Sequence, residues 1–234
     1  MNKILKLYGL NKSEVEEKIS EIQEKYSDLC KISIKEKYLD VSLDISGENE
    51  DNINEIIKQI FDKLKNNIYA TEYKTLYERL AEILDIRNKK LCLMEQATGG
   101  VISSNLLAIE GIDKNLVASL ILPSVDNWLT RFDIDPRLIR ENHGISSKLV
   151  FSIASSMRRT YLADYYIVAL SSDAKGLEVY NLENTNQNEI YSLVAIGDET
   201  GVDIFKIKLS GDKRDRMNQT AKAIAYKLIT ELKK

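Results

Sequence analysis

The chain is poor in the residues that build disulfide frameworks and metal centres. Its 234 residues include two cysteines, two prolines, one histidine and one tryptophan. Cys30 ends a polar helical pattern and Cys92 lies within an apolar strand pattern, so the two form neither a framework nor a metal pair. The lone His143 has no cysteine or acidic cluster around it, as a transition-metal site would need. We expect two buried or incidental thiols, no metal and no cofactor.

Long apolar runs are also missing. No segment approaches the roughly 18 apolar residues of a membrane-spanning helix, and the opening MNKILKLYGL is too short and too interrupted for a signal peptide. With a formal charge of -3 and a pI near 5.5, the chain has no general attraction to nucleic acid or to an anionic membrane. We expect a cytoplasmic protein with no membrane and no nucleic-acid partner.

The first 70 residues show the pattern β-α-β-β-α. A strand is predicted over 3–10, and Ser13 followed by Glu16 has the spacing of a capping box that opens a helix. Alternating apolar residues on either side of a turn near position 37 predict a hairpin. The next helix has a one-sided apolar stripe, formed by Ile53, Ile56, Ile57, Ile60, Phe61 and Leu64.

From residue 71 to 234, apolar strands alternate with amphipathic helices. Such alternation predicts a three-layer α/β/α sandwich with a mixed sheet. We therefore predict a mixed α/β protein of two domains, a small β-α-β-β-α module over 1–70 and the sandwich over 71–234.

The stretch LCLMEQATGGVISSNLL, residues 91–107, reads as a buried strand, a turn through two glycines and the start of a helix. Such a turn directs backbone N–H groups and the helix dipole at a phosphate or a reacting carbonyl. The alternative is a plain tight connection, in which Gly99 and Gly100 only permit positive φ. Gln96 and Ala97 offer an amide and a methyl where an enzyme would place a hydroxyl or a thiol.

Three segments resemble the CinA family of competence/damage-inducible proteins, over residues 76–232. The family's Ala-Glu-Ser-Cys-Thr-Gly-Gly matches Met94-Glu95-Gln96-Ala97-Thr98-Gly99-Gly100. HGISSKLVFSIASSMRRTYLADYYIVAL is similar to the family's Gly-x-Val-Ser, helix and core strand. SGDKRDRMNQTAKAIAYKLITEL is similar to its closing Gly-Asp-Arg segment and final helix.

The resemblance implies an amidohydrolase fold acting on the carboxamide of nicotinamide mononucleotide, preceded over 1–70 by a KH-like module. It also implies that the nucleophilic serine is replaced by Gln96 and the lysine base by Trp128. Of the family's Tyr-Ser-Asn-x-x-Lys pattern, only the serine at Ser124 remains. The family's arginine in the last helix is replaced by Met217 or Asn218.

Each candidate residue also has a simpler interpretation. Glu95 is either a pocket carboxylate or a strand-end charge held by the helix N-terminus. Trp128 either stacks on a ligand ring or packs a core or a subunit interface. Ser124 is a nucleophile only if an unrecognised base serves it, and His143 is more typical of a loop or a cap than of catalysis.

The first module lacks the Gly-x-x-Gly loop through which KH folds hold single-stranded nucleic acid. Its turn SGENEDNINE would repel phosphates, so docking or dimerisation is the favoured interpretation. For the whole chain we predict a protein that has kept the amidohydrolase scaffold and works by binding, with a nucleotide-like small molecule or a protein partner as the candidates. The resemblance also implies a homodimer. Ligand contacts are expected from a set of seven residues, namely Glu95, Gln96, Thr98, Gly99, Gly100, Ser124 and Trp128. The alternatives are an active amidohydrolase with rearranged residues such as Ser124, and a purely structural assembly protein.

Overall fold

The chain divides into two compact units. The computed structural model describes residues 1–180 and 189–233, and its units are Met1–Arg79 and Leu80–Lys234. The division falls inside a helix, α3 (Leu76–Ile86). The predicted domain boundary at 70/71 precedes that helix.

The first unit is a four-stranded antiparallel sheet covered by two helices. Its elements are β1 (Asn2–Tyr8), α1 (Lys12–Lys25), β2 (Cys30–Lys37), β3 (Asp40–Gly47), α2 (Glu50–Leu64) and β4 (Ile68–Ala70). The strand order is β2-β3-β1-β4. The predicted β-α-β-β-α order is confirmed, with the three-residue β4 in addition. The likeness to a KH module stays a prediction.

One local prediction in this unit is wrong. The capping box of α1 is formed by Asn11 and Glu14, and not by Ser13 and Glu16, because the helix begins two residues earlier than predicted. Phe61 is 43% exposed, whereas the stripe of α2 that enters the core is completely buried at its centre. Phe61 lies at the edge of that stripe, so it points largely to solvent.

The second unit carries a five-stranded mixed sheet with helices on both faces. After α3 its elements are β5 (Leu91–Glu95), α4 (Val101–Leu107), β6 (Leu116–Leu120), α5 (Val125–Phe132), α6 (Arg137–Arg140), α7 (Ser147–Thr160), β7 (Tyr165–Ser171), β8 (Tyr191–Gly197), β9 (Val202–Lys208) and α8 (Lys213–Leu232). The strand order is β6-β5-β7-β8-β9. The β6-β5-β7 pairs are parallel and the last two pairs antiparallel, which confirms the predicted mixed α/β class.

Alternating side chains of this sheet enter two different cores. Cys92, Met94 and Val168 belong to the core that α5, α6 and α7 close. Side chains of the opposite parity face α8, where the buried hydroxyls of Ser192 and Thr220 lie 2.9 Å apart. Because successive strand residues point to opposite faces, this arrangement gives the three predicted layers. In the described part of the chain no helix is both long and apolar enough to cross a bilayer.

Candidate functional site

The carboxyl ends of the parallel strands meet at one edge of the second unit. From β5 the chain passes to β6 on one side, and it later returns to β7 on the other side of β5. Such a reversal of strand order opens a crevice at the carboxyl ends, which is where open α/β sheets bind ligands. We call this edge the strand-end site. It comprises the 96–100 turn, residues 121–125 after β6, residues 171–175 from the last residue of β7 onward, and the first turns of α8.

The two glycines of the turn have positive φ and lie against side chains of neighbouring elements. Gly99 has φ +57° and Gly100 has φ +89°. A Cβ at Gly99 would come within 2.2 Å of the methyl carbon of Met217, and one at Gly100 within 2.6 Å of Cδ1 of Ile121. Met217 and Ile121 therefore lie directly against the turn, and they bring α8 and the end of β6 into the site.

Glu95 caps helix α4 from inside the protein. Its side chain is 1% exposed. Oε2 accepts hydrogen bonds from Thr98 Oγ1 at 2.6 Å and Ile102 N at 3.0 Å, and Oε1 from Ser103 N at 2.9 Å and Ser119 Oγ at 3.0 Å. The positive end of the helix dipole thus already holds a carboxylate. This is the geometry of a strand-end charge, and Glu95 can reach a ligand only by giving up one of these bonds.

Gln96 joins the ends of two neighbouring strands. Its Oε1 accepts a 2.7 Å hydrogen bond from the backbone N–H of Ser171. Since an N–H can only donate, the oxygen must face Ser171 and the amide nitrogen must point away. No described residue accepts from Nε2, and that atom is not among the fully buried, unpartnered ones. Among residues 1–180 and 189–233, the two N–H groups of Nε2 have no protein acceptor.

A short polar chain continues from Ser171. Its Oγ donates to Asp173 Oδ1, and Asp173 Oδ2 accepts from Arg216 Nη2 at 2.9 Å. Arg216 also donates from Nη1 to the Gly211 carbonyl at 2.8 Å. This pair was not predicted from the sequence, although Arg216 directly precedes Met217, one of the two positions at which the resemblance implies an arginine. The guanidinium fixes the loop after β7 to the start of α8.

Trp128 lies in the core beneath the site. It has no exposed surface, and its Nε1–H donates to the Leu122 carbonyl at 2.8 Å. Both its ring faces and its one polar atom are therefore occupied by the protein. This geometry agrees with the alternative in which Trp128 packs a core and does not stack on a ligand ring. A ligand could stack on the indole only after α5 had moved.

Ser124 stands at the rim of the site as the N-cap residue of α5. Its Oγ donates to Asn127 Oδ1 at 2.7 Å. Its backbone forms a parallel bridge with Lys175, and the neighbouring N–H of Val125 donates to the Lys175 carbonyl at 3.1 Å. The structure therefore places a lysine backbone beside Ser124, while the hydroxyl itself is directed to an amide oxygen.

The remaining candidates lie elsewhere or form no cluster. His143 is an exposed residue at φ +51° beyond α6, just before Gly144. Cys92 is fully buried, and burial raises the pKa of its thiol to about 12. Within residues 1–180 and 189–233, no three or more His, Cys, Asp or Glu side chains are placed to hold a metal ion.

The strand-turn-helix at residues 91–107 lies inside a longer match to a known family. The family described as CinA C-terminal domain matches residues 73–233. The chain belongs to this family. The match covers the whole sandwich and includes every residue of the strand-end site.

CinA relatives extend the similarity to most of the chain. A Caldicellulosiruptor saccharolyticus protein named as competence-damage inducible is 24% identical over 238 aligned positions, 97% of this chain and 55% of the relative. A CinA-like protein of Thermosipho melanesiensis is 27% identical over 173 positions, 74% of this chain and 42% of the relative. The chain thus spans about half the length of the curated relatives it matches.

Solved structures of CinA proteins share the fold. A competence or damage-inducible protein of Enterobacter asburiae aligns with a TM-score of 0.57 at 20% identity, over 67% of this chain and 96% of that protein. A CinA superfamily protein of Enterobacter cloacae gives 0.55 at 22% identity, over 71% and 97%. At these identities the likeness concerns the fold alone.

Proposed function

We propose that this CinA-family chain binds a nucleotide-like small molecule at the strand-end site without hydrolysing it. One observation carries the proposal. At the position where the resemblance places the nucleophile stands Gln96, whose carbonyl oxygen is held by the Ser171 N–H at 2.7 Å. A primary amide neither attacks a carboxamide nor titrates near neutral pH, so covalent chemistry has no starting group there.

The surrounding hydroxyls support the same proposal. Thr98 and Ser119 donate to Glu95, and Ser171 donates to Asp173. Nucleophilic catalysis needs a hydroxyl within hydrogen-bond reach of a base such as a neutral lysine or histidine. Each of these three hydroxyls is instead directed to a carboxylate that orders the turn or the loop. Their arrangement is suited to rigidity and to binding.

A second candidate function rests on Ser124. Its bridge to Lys175 brings an exposed lysine next to a hydroxyl. If the Lys175 side chain turned inward, the two residues would form a Ser-Lys pair and restore an amidohydrolase. The 2.7 Å bond from Ser124 to Asn127 favours the non-catalytic function, because the hydroxyl would have to leave that amide oxygen before it could be activated.

Two measurements on the intact chain test the proposal. Thermal-shift titration with nicotinamide mononucleotide should raise the melting temperature, because a ligand that binds the native state stabilises it. Assays for ammonia and nicotinic acid mononucleotide should show no product. Ser124→Ala and Lys175→Ala are the matched variants: product that both substitutions abolish would establish the second candidate. No shift and no product would leave the structural alternative.

The predicted homodimer is part of this proposal. Sedimentation of the wild-type chain over a concentration series should give twice the monomer mass. A single monomeric species at every concentration would remove the dimer from the account and leave the binding proposal standing.

A further inference from the structure

The end of β7 carries a backbone donor that has no neighbouring strand to pair with. The carbonyl of Ala169 accepts from Ala97 N at 2.9 Å, so residues of that parity point toward β5. Ser171 is two residues further along, and its N–H points in the same direction. There β5 has already ended, and the chain has turned away into the 96–100 turn. The N–H of Ser171 is thus a donor at the carboxyl edge that no neighbouring strand pairs with.

In this chain the donor is filled by a carboxamide. The side chain of Gln96 leaves the main chain one residue after β5, and its carbonyl oxygen reaches Ser171 N at 2.7 Å. A neutral N–H···O=C bond of this length is the bond that the carbonyl of a ligand amide would make. We infer that Ser171 N–H is a carboxamide seat which Gln96 occupies with its own side chain, so that Gln96 sets the affinity of the strand-end site for amide ligands. This inference rests on the proposed function.

The seat is rigid, so its donor is preorganised. The Ser171 hydroxyl is bound to Asp173, which Arg216 holds at 2.9 Å. Arg216 is in turn bound to the Gly211 carbonyl, and its side chain is 18% exposed. On the other side Met217 closes over Gly99. Neither the Asp173–Arg216 pair nor Met217 depends on Gln96. Removal of the Gln96 side chain should therefore leave the seat open.

The Gln96 side chain therefore competes with a ligand carboxamide for the N–H of Ser171. A carboxamide ligand of the wild-type protein must displace Gln96 before it can bond to Ser171. The displaced side chain gives up one neutral hydrogen bond, which corresponds to about a fivefold loss in apparent affinity. Removal of the side chain should abolish this competition. We therefore expect Gln96→Ala to bind nicotinamide mononucleotide about fivefold more tightly than the wild type does.

The experiment compares three proteins by titration calorimetry and by the amide NMR signal of Ser171. They are the wild type, Gln96→Ala, and Gln96→Glu as the matched control. The glutamate keeps an acceptor for Ser171 N–H, so its seat should stay filled and its affinity should not rise. In Gln96→Ala, nicotinamide mononucleotide should shift the Ser171 signal at about one fifth of the concentration that the wild type needs.

The outcomes separate this inference from the proposed function. Binding to the wild type at least as tight as to Gln96→Ala would overturn the inference and leave the proposed function intact. If no protein binds the nucleotide, the proposed function fails, and acetamide serves as the probe of the seat. A Ser171 shift that appears at a lower acetamide concentration in Gln96→Ala than in the wild type supports the seat, and shifts at equal concentrations in the two proteins overturn it. No shift in either protein overturns it.

Discussion

The four hydrogen bonds to Glu95 predict a large effect of a very small substitution. Glu95→Gln keeps the shape of the side chain but replaces one oxygen with an NH2 group. In the wild type, each carboxylate oxygen of Glu95 accepts one hydrogen bond from a hydroxyl and one from a backbone N–H. The hydroxyl can rotate to accept from the new NH2, but the backbone N–H cannot.

The cost of this substitution follows from two contributions. One buried backbone N–H loses its acceptor, which costs about 1–3 kcal/mol. The positive N-terminal end of α4 also loses the negative charge of the Glu95 side chain, which costs about 1–2 kcal/mol in a buried setting. The free energy of unfolding of the second unit should therefore fall by about 2–5 kcal/mol.

The assay is urea unfolding followed by tryptophan fluorescence. Trp128 is the only tryptophan and lies in the core of the second unit, so its emission reports the unfolding of that unit. The exposed Glu110 provides the matched control, since Glu110→Gln makes the same chemical change outside the core. A loss below about 0.5 kcal/mol for Glu95→Gln, the usual range of surface substitutions, would refute the hydrogen-bond account of the turn.

Three further predictions concern groups away from the turn. Burial raises the pKa of Cys92 to about 12, so a thiol reagent at pH 8 should label only the partly exposed Cys30 before denaturant is added; two fast thiols would contradict the buried placement. Trp128→Phe leaves the partly buried Leu122 carbonyl without its donor and opens a cavity, so circular dichroism should record a loss of about 2–4 kcal/mol in the free energy of unfolding. A change within about 0.5 kcal/mol, the spread of surface substitutions, would argue against a core role. Hydrogen bonds from Lys206 and Lys208 lower the pKa of Glu189 to about 2. The contribution of Glu189 to the stability of the fold should be complete above its ordinary pKa of 4.5 and should be lost as the pH falls through about 2. An NMR titration midpoint near 4.5 for Glu189 would contradict the ion pairs.

The sequence predicts the sheets well because their strands carry strong patterns. Every residue of β5 is buried, and such a continuous apolar run indicates a central parallel strand. β4 was not predicted, since three residues are too few to show a period. The start of α1 was misplaced because Asn11-Glu14 and Ser13-Glu16 have the same spacing, and only the observed backbone distinguishes them.

The strand-end site is less predictable because its contacts join distant segments. The turn at 96–100 and its two glycines follow from local sequence. The Gln96–Ser171 bond spans 75 positions and the Asp173–Arg216 pair 43. Both contacts depend on which strands become neighbours in the sheet, and no local sequence pattern specifies that strand order. The resemblance accordingly predicts that Gln96 stands where the family has a nucleophile, but it does not predict what the glutamine side chain does there.

The most direct test of binding without hydrolysis is a stoichiometric incubation. Wild-type protein and nicotinamide mononucleotide are mixed at equal, high concentration, and the nucleotide is analysed by mass spectrometry after many hours. We predict that the carboxamide is recovered intact while calorimetry on the same sample records binding. Nicotinic acid mononucleotide formed by the wild type and not by Ser124→Ala would contradict the account and establish a rearranged amidohydrolase.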